Sequence, residues 1–280
     1  MSESIQATAE LLGEMETPSA DLEAEIARLR RKQFVALEHV RQMHKWLENM
    51  RCARESCRIV GPSRTGKTEG CKVYQLRVAK LTEDISGQAP HIKVAYVLLP
   101  KECGSRDLFY GILGAVQFQA TRGTIADLRQ RVFRVLERCQ LEMLILDEAN
   151  HLKANTFAEV RHISDLLGVS VVLVGTERLN TLIRRDEQVH NRFRASYRLG
   201  RLVGDDFERT VRIWERDLLK LPAASNLHSK GAMKVLWKET HGCIGLLDQI
   251  LRRAAIVALQ QGKSRISVDL LKQVALGYEQ

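Results

Sequence analysis

The clearest chemistry in the sequence is a glycine-bounded pattern that binds phosphate. Residues 61–68, Gly61-Pro62-Ser63-Arg64-Thr65-Gly66-Lys67-Thr68, match G-x-x-x-x-G-K-[ST] in full. The two glycines permit a tight turn, so backbone N–H groups of the loop, those of Ser63, Arg64 and Thr65 among them, point at phosphate oxygens. Lys67 is expected to reach the β- and γ-phosphates, and the Thr68 hydroxyl to ligate Mg²⁺. The pattern therefore predicts a nucleoside triphosphate site.

A pair of acids at the end of an apolar run supplies the second pattern. Leu144-Ile145-Leu146 is followed directly by Asp147 and Glu148, which is the Walker B arrangement. About 80 residues after a phosphate loop, this arrangement is specific. Asp147 is expected to hold the Mg²⁺, and Glu148 to orient or deprotonate the attacking water. Taken with the phosphate loop, the two acids predict hydrolysis of the bound triphosphate.

Two further residues are weaker candidates for the same reaction. Thr176 ends the apolar run 172–174 and could lie near the γ-phosphate, although an ordinary strand-ending turn has the same sequence. Arg192, within Asn191-Arg192-Phe193-Arg194, follows at a suitable distance for an arginine supplied to a neighbouring subunit. Such an arginine stabilises the charge of the transition state and raises kcat by about 10³–10⁵-fold. The alternative for Arg192 is a solvated basic helix face.

Alternating strands and helices are predicted to position these residues. Apolar strands are predicted at 56–60, 92–99, 143–146, 169–174 and 197–203, with helices between them. This alternation predicts a doubly wound, five-stranded parallel α/β sheet. After residue 204 the periodicity is helical throughout. We therefore expect a flexible acidic arm at 1–20, an α/β nucleotide-binding domain at 21–204 and a small C-terminal all-helical lid domain at 205–280.

The charge distribution favours a polyanionic partner. Residues 1–27 contain seven acids and no Lys or Arg, so the remainder of the chain carries a formal net charge of +16. A body this basic suggests nucleic acid, although a basic enzyme without such a partner has the same composition. The six cysteines form no C-x-x-C pair, which favours reduced thiols. With neither a signal peptide pattern nor a long apolar run, we expect a bacterial cytoplasmic protein without membrane contact.

Taken together, the two Walker motifs, the polar strand end, the Arg-Phe-Arg segment and the helical lid resemble the AAA+ ATPases. Several stretches are similar, more narrowly, to TnsC-type transposition regulators, particularly those of CRISPR-associated transposons. The resemblance spans roughly residues 20–280. The stretches that carry it are CRIVGPSRTGKT, EMLILDEANHLK, TFAEVR, VVLVGTERL, RRDEQV-x-x-RFR, ARLRRK and LKLPAASNL.

This resemblance implies an ATP-dependent function on DNA. Such proteins bind ATP, form a helical filament or ring on double-stranded DNA, and link a target-selecting module, here including an RNA-guided effector, to the transposase. Adenine would lie against Phe34 and Val35. Backbone contacts to DNA would come from two loops, through Lys101, Arg106, Thr121, Arg122 and Thr124. These side chains reach phosphates without reading bases, so binding would be independent of sequence and sensitive to salt.

Two positions depart from the family pattern, and the first of them bears on the rate of hydrolysis. The lid glycine Gly245 is followed by leucines where a phosphate-sensing arginine is common, so that sensor is Arg252, Arg253 or missing. Asn150 stands two residues after Glu148, where an acid is common. The altered lid sensor leaves open a nucleotide-gated DNA scaffold with negligible hydrolysis. Within the same superfamily, the alternative is a helicase loader or an insertion-sequence helper ATPase.

Overall fold

A computed structural model describes residues 20–83, 92–119 and 122–277. The chain forms two compact units, Val35–Arg201 and a second unit that combines Met1–Phe34 with Leu202–Gln280. The expected arm at 1–20 lies almost wholly outside the described residues. Among the described residues, no helix has the length and apolarity needed to cross a membrane.

The larger unit contains the predicted five-stranded sheet, and all of its strand pairs are parallel. The strands are β1 (Cys57–Val60), β2 (Val94–Leu98), β3 (Met143–Asp147), β4 (Ser170–Gly175) and β5 (Ala195–Arg198). Their order across the sheet is β2-β3-β4-β1-β5. The register pairs Val60 with Gly175 and Leu98 with Asp147. The carboxyl ends of β1, β3 and β4, which bear the candidate catalytic residues, therefore lie side by side at one edge.

Helices cover both faces of this sheet, as a doubly wound fold requires. They are α2 (Glu38–Ala53), α3 (Lys67–Glu83), α4 (Ser105–Ala115), α5 (Ile125–Arg138), α6 (Ala154–Leu167), α7 (Arg178–Ile183) and α8 (Glu187–Arg192). The helix that precedes them in the chain, α1 (Ala20–Arg30), belongs to the smaller unit. The core contains buried residues of the sheet such as Val97, Leu146 and Leu173, packed with Phe109 of α4 and Val132 of α5. On the opposite face α3 contacts β2 and β4, and α2 contacts β4.

All regular elements among the described residues of the smaller unit are helices. The unit contains α9 (Gly204–Ile213), a π-helical turn (Trp214–Leu219), α10 (Lys230–Thr240), α11 (Ile244–Gln260) and α12 (Val268–Leu276), together with α1. Glu215 of the π-helical turn accepts hydrogen bonds from the backbone N–H groups of three successive residues, 225–227, at 2.6–3.0 Å. This carboxylate therefore fixes the backbone at the end of the stretch LKLPAASNL, residues 219–227, which resembles the TnsC-type regulators.

The first helix groups with the lid helices rather than with the sheet, whereas the expected nucleotide-binding domain began at residue 21. Ile26 and Leu29 of α1 are buried. Arg28 donates to the carbonyl oxygens of Leu218 and Leu219, both at 2.7 Å. Arg252 donates to the Leu29 carbonyl at 2.8 Å. These long-range bonds are invisible to local periodicity.

Candidate functional site

The phosphate loop joins β1 to α3, as its pattern predicts. Helix α3 begins at Lys67, so the N–H groups of its first turn lack intrahelical acceptors and point into the loop. Gly66 has φ 92°, and Arg64 has φ 62°. A Cβ at Gly61 would lie 2.1 Å from the Leu199 carbonyl oxygen. Because that neighbour is backbone and cannot rotate away, position 61 accepts only glycine.

Lys67 is held inside the loop that it closes. Its side chain is buried, and Nζ donates to the carbonyl oxygens of Gly61 at 2.9 Å and Pro62 at 2.6 Å. Burial lowers the pKa of Lys67, and the carboxylates of Asp147 and Glu148 oppose that shift. An ammonium desolvated beside a helix N-terminus fits a phosphate group, which would replace neutral carbonyls with anionic oxygens.

Asp147 is the most deeply buried acid of the site, with 1% of its surface exposed. Its Oδ2 accepts a hydrogen bond from Tyr96 Oη at 2.7 Å, and its Oδ1 accepts one from the Glu148 backbone N–H at 2.8 Å. Burial and this bond raise the pKa of Tyr96, so its hydroxyl remains a donor at neutral pH. The pair fixes the orientation of the carboxylate that is predicted to hold Mg²⁺.

Glu148, Asn150 and Thr176 are joined by one side-chain amide. Glu148 has a left-handed backbone, φ 56° and ψ 38°, and begins a 3-10 turn over Ala149–His151. Asn150 Nδ2 donates to Glu148 Oε2 at 3.4 Å, and Asn150 Oδ1 accepts from the Thr176 backbone N–H at 3.3 Å. The Thr176 residue that the sequence singled out is therefore connected to the candidate base through its backbone.

Arg192, the predicted trans-acting arginine, is bonded within its own subunit. Its guanidinium lies 3.0 Å from Asp165 Oδ1 and donates to Ser164 Oγ at 3.2 Å. The side chain is nevertheless 39% exposed. Such an exposed pair is weak, worth about 0–1 kcal/mol, so the guanidinium could exchange it for a stronger anion.

Four of the residues expected to contact DNA, Lys101, Arg106, Arg122 and Thr124, lie in the described part of the chain, and all four are exposed. Lys101 follows β2, and Arg122 precedes α5. Arg106, expected in a loop, lies instead in the first turn of α4. It donates from Nη1 to the Gly123 carbonyl oxygen at 3.2 Å, which links the start of α4 to the loop before α5. Thr124 instead caps α5, because its hydroxyl exchanges hydrogen bonds with Asp127. Thr121 lies outside the described residues.

The remaining predicted residues are the two expected to contact adenine and the two candidates for the lid sensor. Val35 is half-buried at the start of the larger unit, whereas Phe34 is 39% exposed and groups with the smaller unit. In the lid, Arg252 is engaged by Asp248 at 2.7 Å and by two carbonyl oxygens of the chain at the end of α1. Of the two sensor candidates, Arg253 is the exposed one.

The donor set fits a magnesium-bound triphosphate. Mg²⁺ prefers hard oxygen ligands and is usually held by one or two protein oxygens together with the substrate phosphates. The Thr68 hydroxyl and the Asp147 carboxylate would hold it, and Mg²⁺ would neutralise charge on the phosphates. Lys67 would bind the β- and γ-phosphates, and Glu148 would orient or deprotonate the attacking water. The arrangement can therefore perform phosphoryl transfer to water.

The sequence does not predict the contacts of three side chains that support the site. Tyr96 interrupts an otherwise apolar strand, which is the only local sign of its contact with Asp147. His44 Nε2 lies 2.8 Å from the Gly70 carbonyl oxygen and so ties α2 to α3. Asn150 was noticed as a departure from the usual acid, but its contacts depend on the neighbouring strand β4 and could not be read from spacing.

Solved structures confirm the fold class. Aeropyrum pernix ORC2, solved as ADPNP–ADP complexes, has a TM-score of 0.69 and 15% identity over 90% of this chain and 71% of its own. Pyrobaculum aerophilum CDC6P has a TM-score of 0.67 and 17% identity over 86% of this chain and 67% of its own. Aeropyrum pernix ORC1, solved in complex with DNA, has a TM-score of 0.65 and 14% identity over 91% and 69%. At these identities the likeness establishes the AAA+ fold.

Sequence comparison identifies the family. No curated protein sequence matches the chain significantly. The profile described as "Bacterial TniB protein", however, matches residues 25–199. That match covers more than half of the chain and includes the phosphate loop, Asp147, Glu148, Thr176 and Arg192. The chain belongs to the TniB family.

Proposed function

We propose that this protein is an ATP-dependent, DNA-binding regulator of transposition that assembles on double-stranded DNA and links target selection to a transposase. Membership of the TniB family, which is transposition-associated and AAA+, supports the ATPase and transposition parts of the proposal. The basic body of the chain supports the DNA part. By its resemblance to TnsC-type regulators, the target-selecting partner would be an RNA-guided effector in the bacterial cytoplasm.

One observation carries the proposal: the loop with Lys101 is hydrogen-bonded to the segment that follows the catalytic acids. The Cys103 N–H donates to the His151 carbonyl at 2.9 Å, and the Lys153 N–H donates to the Cys103 carbonyl at 3.0 Å. Upstream, the Leu99 N–H donates to the Asp147 carbonyl at 3.0 Å. A phosphate bound at Lys101 would therefore act on a loop fastened on both sides to the Walker B segment.

Assembly would complete the ATP site. Lys67, Asp147 and Glu148 would come from one subunit, and Arg192, or a neighbouring arginine, from the next. Because a γ-phosphate would bind the guanidinium more strongly than the exposed Asp165 does, ATP would favour contact between subunits. Hydrolysis would remove that anion and loosen the interface. This is the sense in which the nucleotide would control assembly on DNA.

Binding to duplex DNA by the Lys101 and Arg122 variants tests the DNA part. Each alanine substitution should weaken binding to unrelated duplexes equally and reduce the salt slope by about 1. Lys80→Ala, at an exposed position on α3, is the matched control and should leave the slope unchanged. A change that depends on DNA sequence, or an unchanged slope in both loop variants, would contradict the assignment.

The choice of DNA separates this proposal from a helicase loader. A transposition regulator should form ATP-dependent assemblies on duplex DNA, whereas a loader should favour single strands. Electron microscopy with an ATP analogue on both substrates measures the difference directly. Lys67→Ala should bind no nucleotide and form no assemblies. Normal assemblies of that variant in ATP would refute nucleotide control.

A further inference from the structure

Asn150 lies between the candidate base and the next strand, at a position where related ATPases often have an acid. We propose that Asn150 is a positioning residue, which fixes the Glu148 carboxylate relative to the carboxyl end of β4 during ATP hydrolysis. This inference rests on the proposed ATPase function, and it assigns a role that the Walker motifs do not contain.

The hydrogen-bond pattern sets the orientation of the amide. The Thr176 backbone N–H can only donate, so the oxygen of the Asn150 amide must face it, at 3.3 Å. The amide nitrogen then faces the opposite way and donates to Glu148 Oε2 at 3.4 Å. Both bonds are long, as catalytic hydrogen bonds often are before substrate binds. One rigid, planar group thus relates the carboxylate to β4.

The backbone on both sides of Asn150 restricts the position of its amide. A Cβ at Gly175 would lie 2.8 Å from Asn150 Oδ1 and 3.2 Å from Leu179 Cδ2, so only glycine leaves room for the amide. On the other side, the 3-10 turn is closed by a hydrogen bond from the His151 N–H to the Glu148 carbonyl at 2.9 Å. Asn150 therefore has little freedom to move independently of either neighbour.

The chemistry favours an amide over an acid at this position. An aspartate would still accept from the Thr176 N–H, but its second oxygen would face the Glu148 carboxylate. Two carboxylates at that distance repel each other, and Glu148 would turn away. The neutral amide offers an N–H instead. Asn150→Asp therefore preserves the shape and the Thr176 contact, and it replaces the attraction to Glu148 with repulsion.

Steady-state ATP hydrolysis with duplex DNA tests the proposal. Asn150→Ala and Asn150→Asp should each lower kcat by about 10–100-fold, the loss expected from a misplacement near 1 Å. KM for ATP should stay within about twofold, because Asn150 lies outside the phosphate loop that is expected to bind the nucleotide. Gly175→Ala, which displaces the amide without changing it, should lower kcat in the same way. Asn49→Ala, at an exposed position on α2, is the control and should match wild type.

A double-mutant cycle separates positioning from a merely structural role. If Asn150 acts through Glu148, Asn150→Ala should have almost no further effect on kcat in the Glu148→Gln background. An equal loss in both backgrounds, or kcat within twofold of wild type in the Asp variant, would overturn the proposal. If the Ala variant fails to fold, the Asp variant decides the matter, because it retains the packing.

The same measurements distinguish a failure of the positioning role of Asn150 from a failure of the proposed ATPase function. If wild type hydrolyses ATP and Glu148→Gln does not, but the Asn150 variants resemble wild type, only the positioning role fails. If wild type releases no phosphate in the presence of duplex DNA, the ATPase function and the positioning role fail together.

Discussion

Replacing Tyr96 with phenylalanine removes a single hydroxyl from beside a buried carboxylate. Tyr96 Oη donates to Asp147 Oδ2 at 2.7 Å, and Asp147 is 1% exposed. The ring remains, so the packing of β2 against α3 is unchanged. What is lost is a hydrogen bond to a charged group, worth about 1.5–3 kcal/mol. Water cannot easily replace it, because the acceptor is almost fully enclosed.

We therefore expect the free energy of unfolding to fall by about 1.5–3 kcal/mol in Tyr96→Phe. For a unit of this size that corresponds to a loss of about 3–12 °C in Tm. Without its partner, Asp147 is also less well oriented toward Mg²⁺. The Mg²⁺ concentration that half-saturates ATP hydrolysis should rise by about 10–100-fold, as is typical when the hydrogen-bond partner of a ligand is removed.

Denaturant titration and a magnesium titration of ATPase activity measure the two effects. Tyr110→Phe is the matched control, since Tyr110 is an exposed tyrosine of the same unit, on α4. It should change stability by less than about 0.5 kcal/mol. If Tyr96→Phe is as stable as this control and has an unchanged Mg²⁺ requirement, the hydrogen bond to Asp147 does not contribute as argued.

Two further predictions concern Arg192 and His44. Asp165→Asn should alter the free energy of unfolding by less than about 1 kcal/mol, because the pair that Asp165 forms with Arg192 is exposed. The substitution frees the Arg192 guanidinium, so it should lower the protein concentration needed for half-maximal ATPase activity. An unchanged concentration dependence would argue against a trans role for Arg192. Burial lowers the pKa of His44 from its usual 6.5, so the unfolded chain takes up a proton first and stability falls as pH drops below about 6.5. The stability difference between wild type and His44→Phe, followed by denaturant titration, should therefore be largest near pH 7.5 and shrink toward lower pH; a constant difference would refute the assignment.

Local pattern was sufficient for most of the fold. Apolar runs bounded by turns predicted the first four strands of the sheet close to their observed bounds, and helical periodicity predicted the helices after residue 204. The last strand was expected at 197–203, whereas β5 spans Ala195–Arg198, because its partner β1 ends at Val60, opposite Arg198. Two short helices, α7 and α8, were not predicted, because six residues are too few to show a period. The grouping of α1 with the lid was also missed, because it depends on bonds such as that from Arg252 to Leu29, which lie far apart in sequence.

The residues of the candidate site also fall into those that local pattern predicts and those that depend on the assembled sheet. Lys67, Asp147 and Glu148 could be predicted because phosphate and metal chemistry demands those residue types at strand ends. Tyr96 and Asn150 could not, since each depends on a contact with a different strand: Tyr96 of β2 bonds Asp147 of β3, and Asn150 accepts from Thr176, which follows β4. A side chain whose role depends on strand order becomes visible only when the sheet is assembled.

Phosphate release from magnesium–ATP in the presence of duplex DNA, compared between wild type and Glu148→Gln, tests the central claim most directly. We expect wild type to hydrolyse ATP and Glu148→Gln to be about 10²–10⁴-fold slower, the usual contribution of a general base. Glu148→Gln should still bind ATP and persist on DNA, because Lys67, Thr68 and Asp147 are intact. Equal turnover by the two proteins, or none by either, would contradict the account.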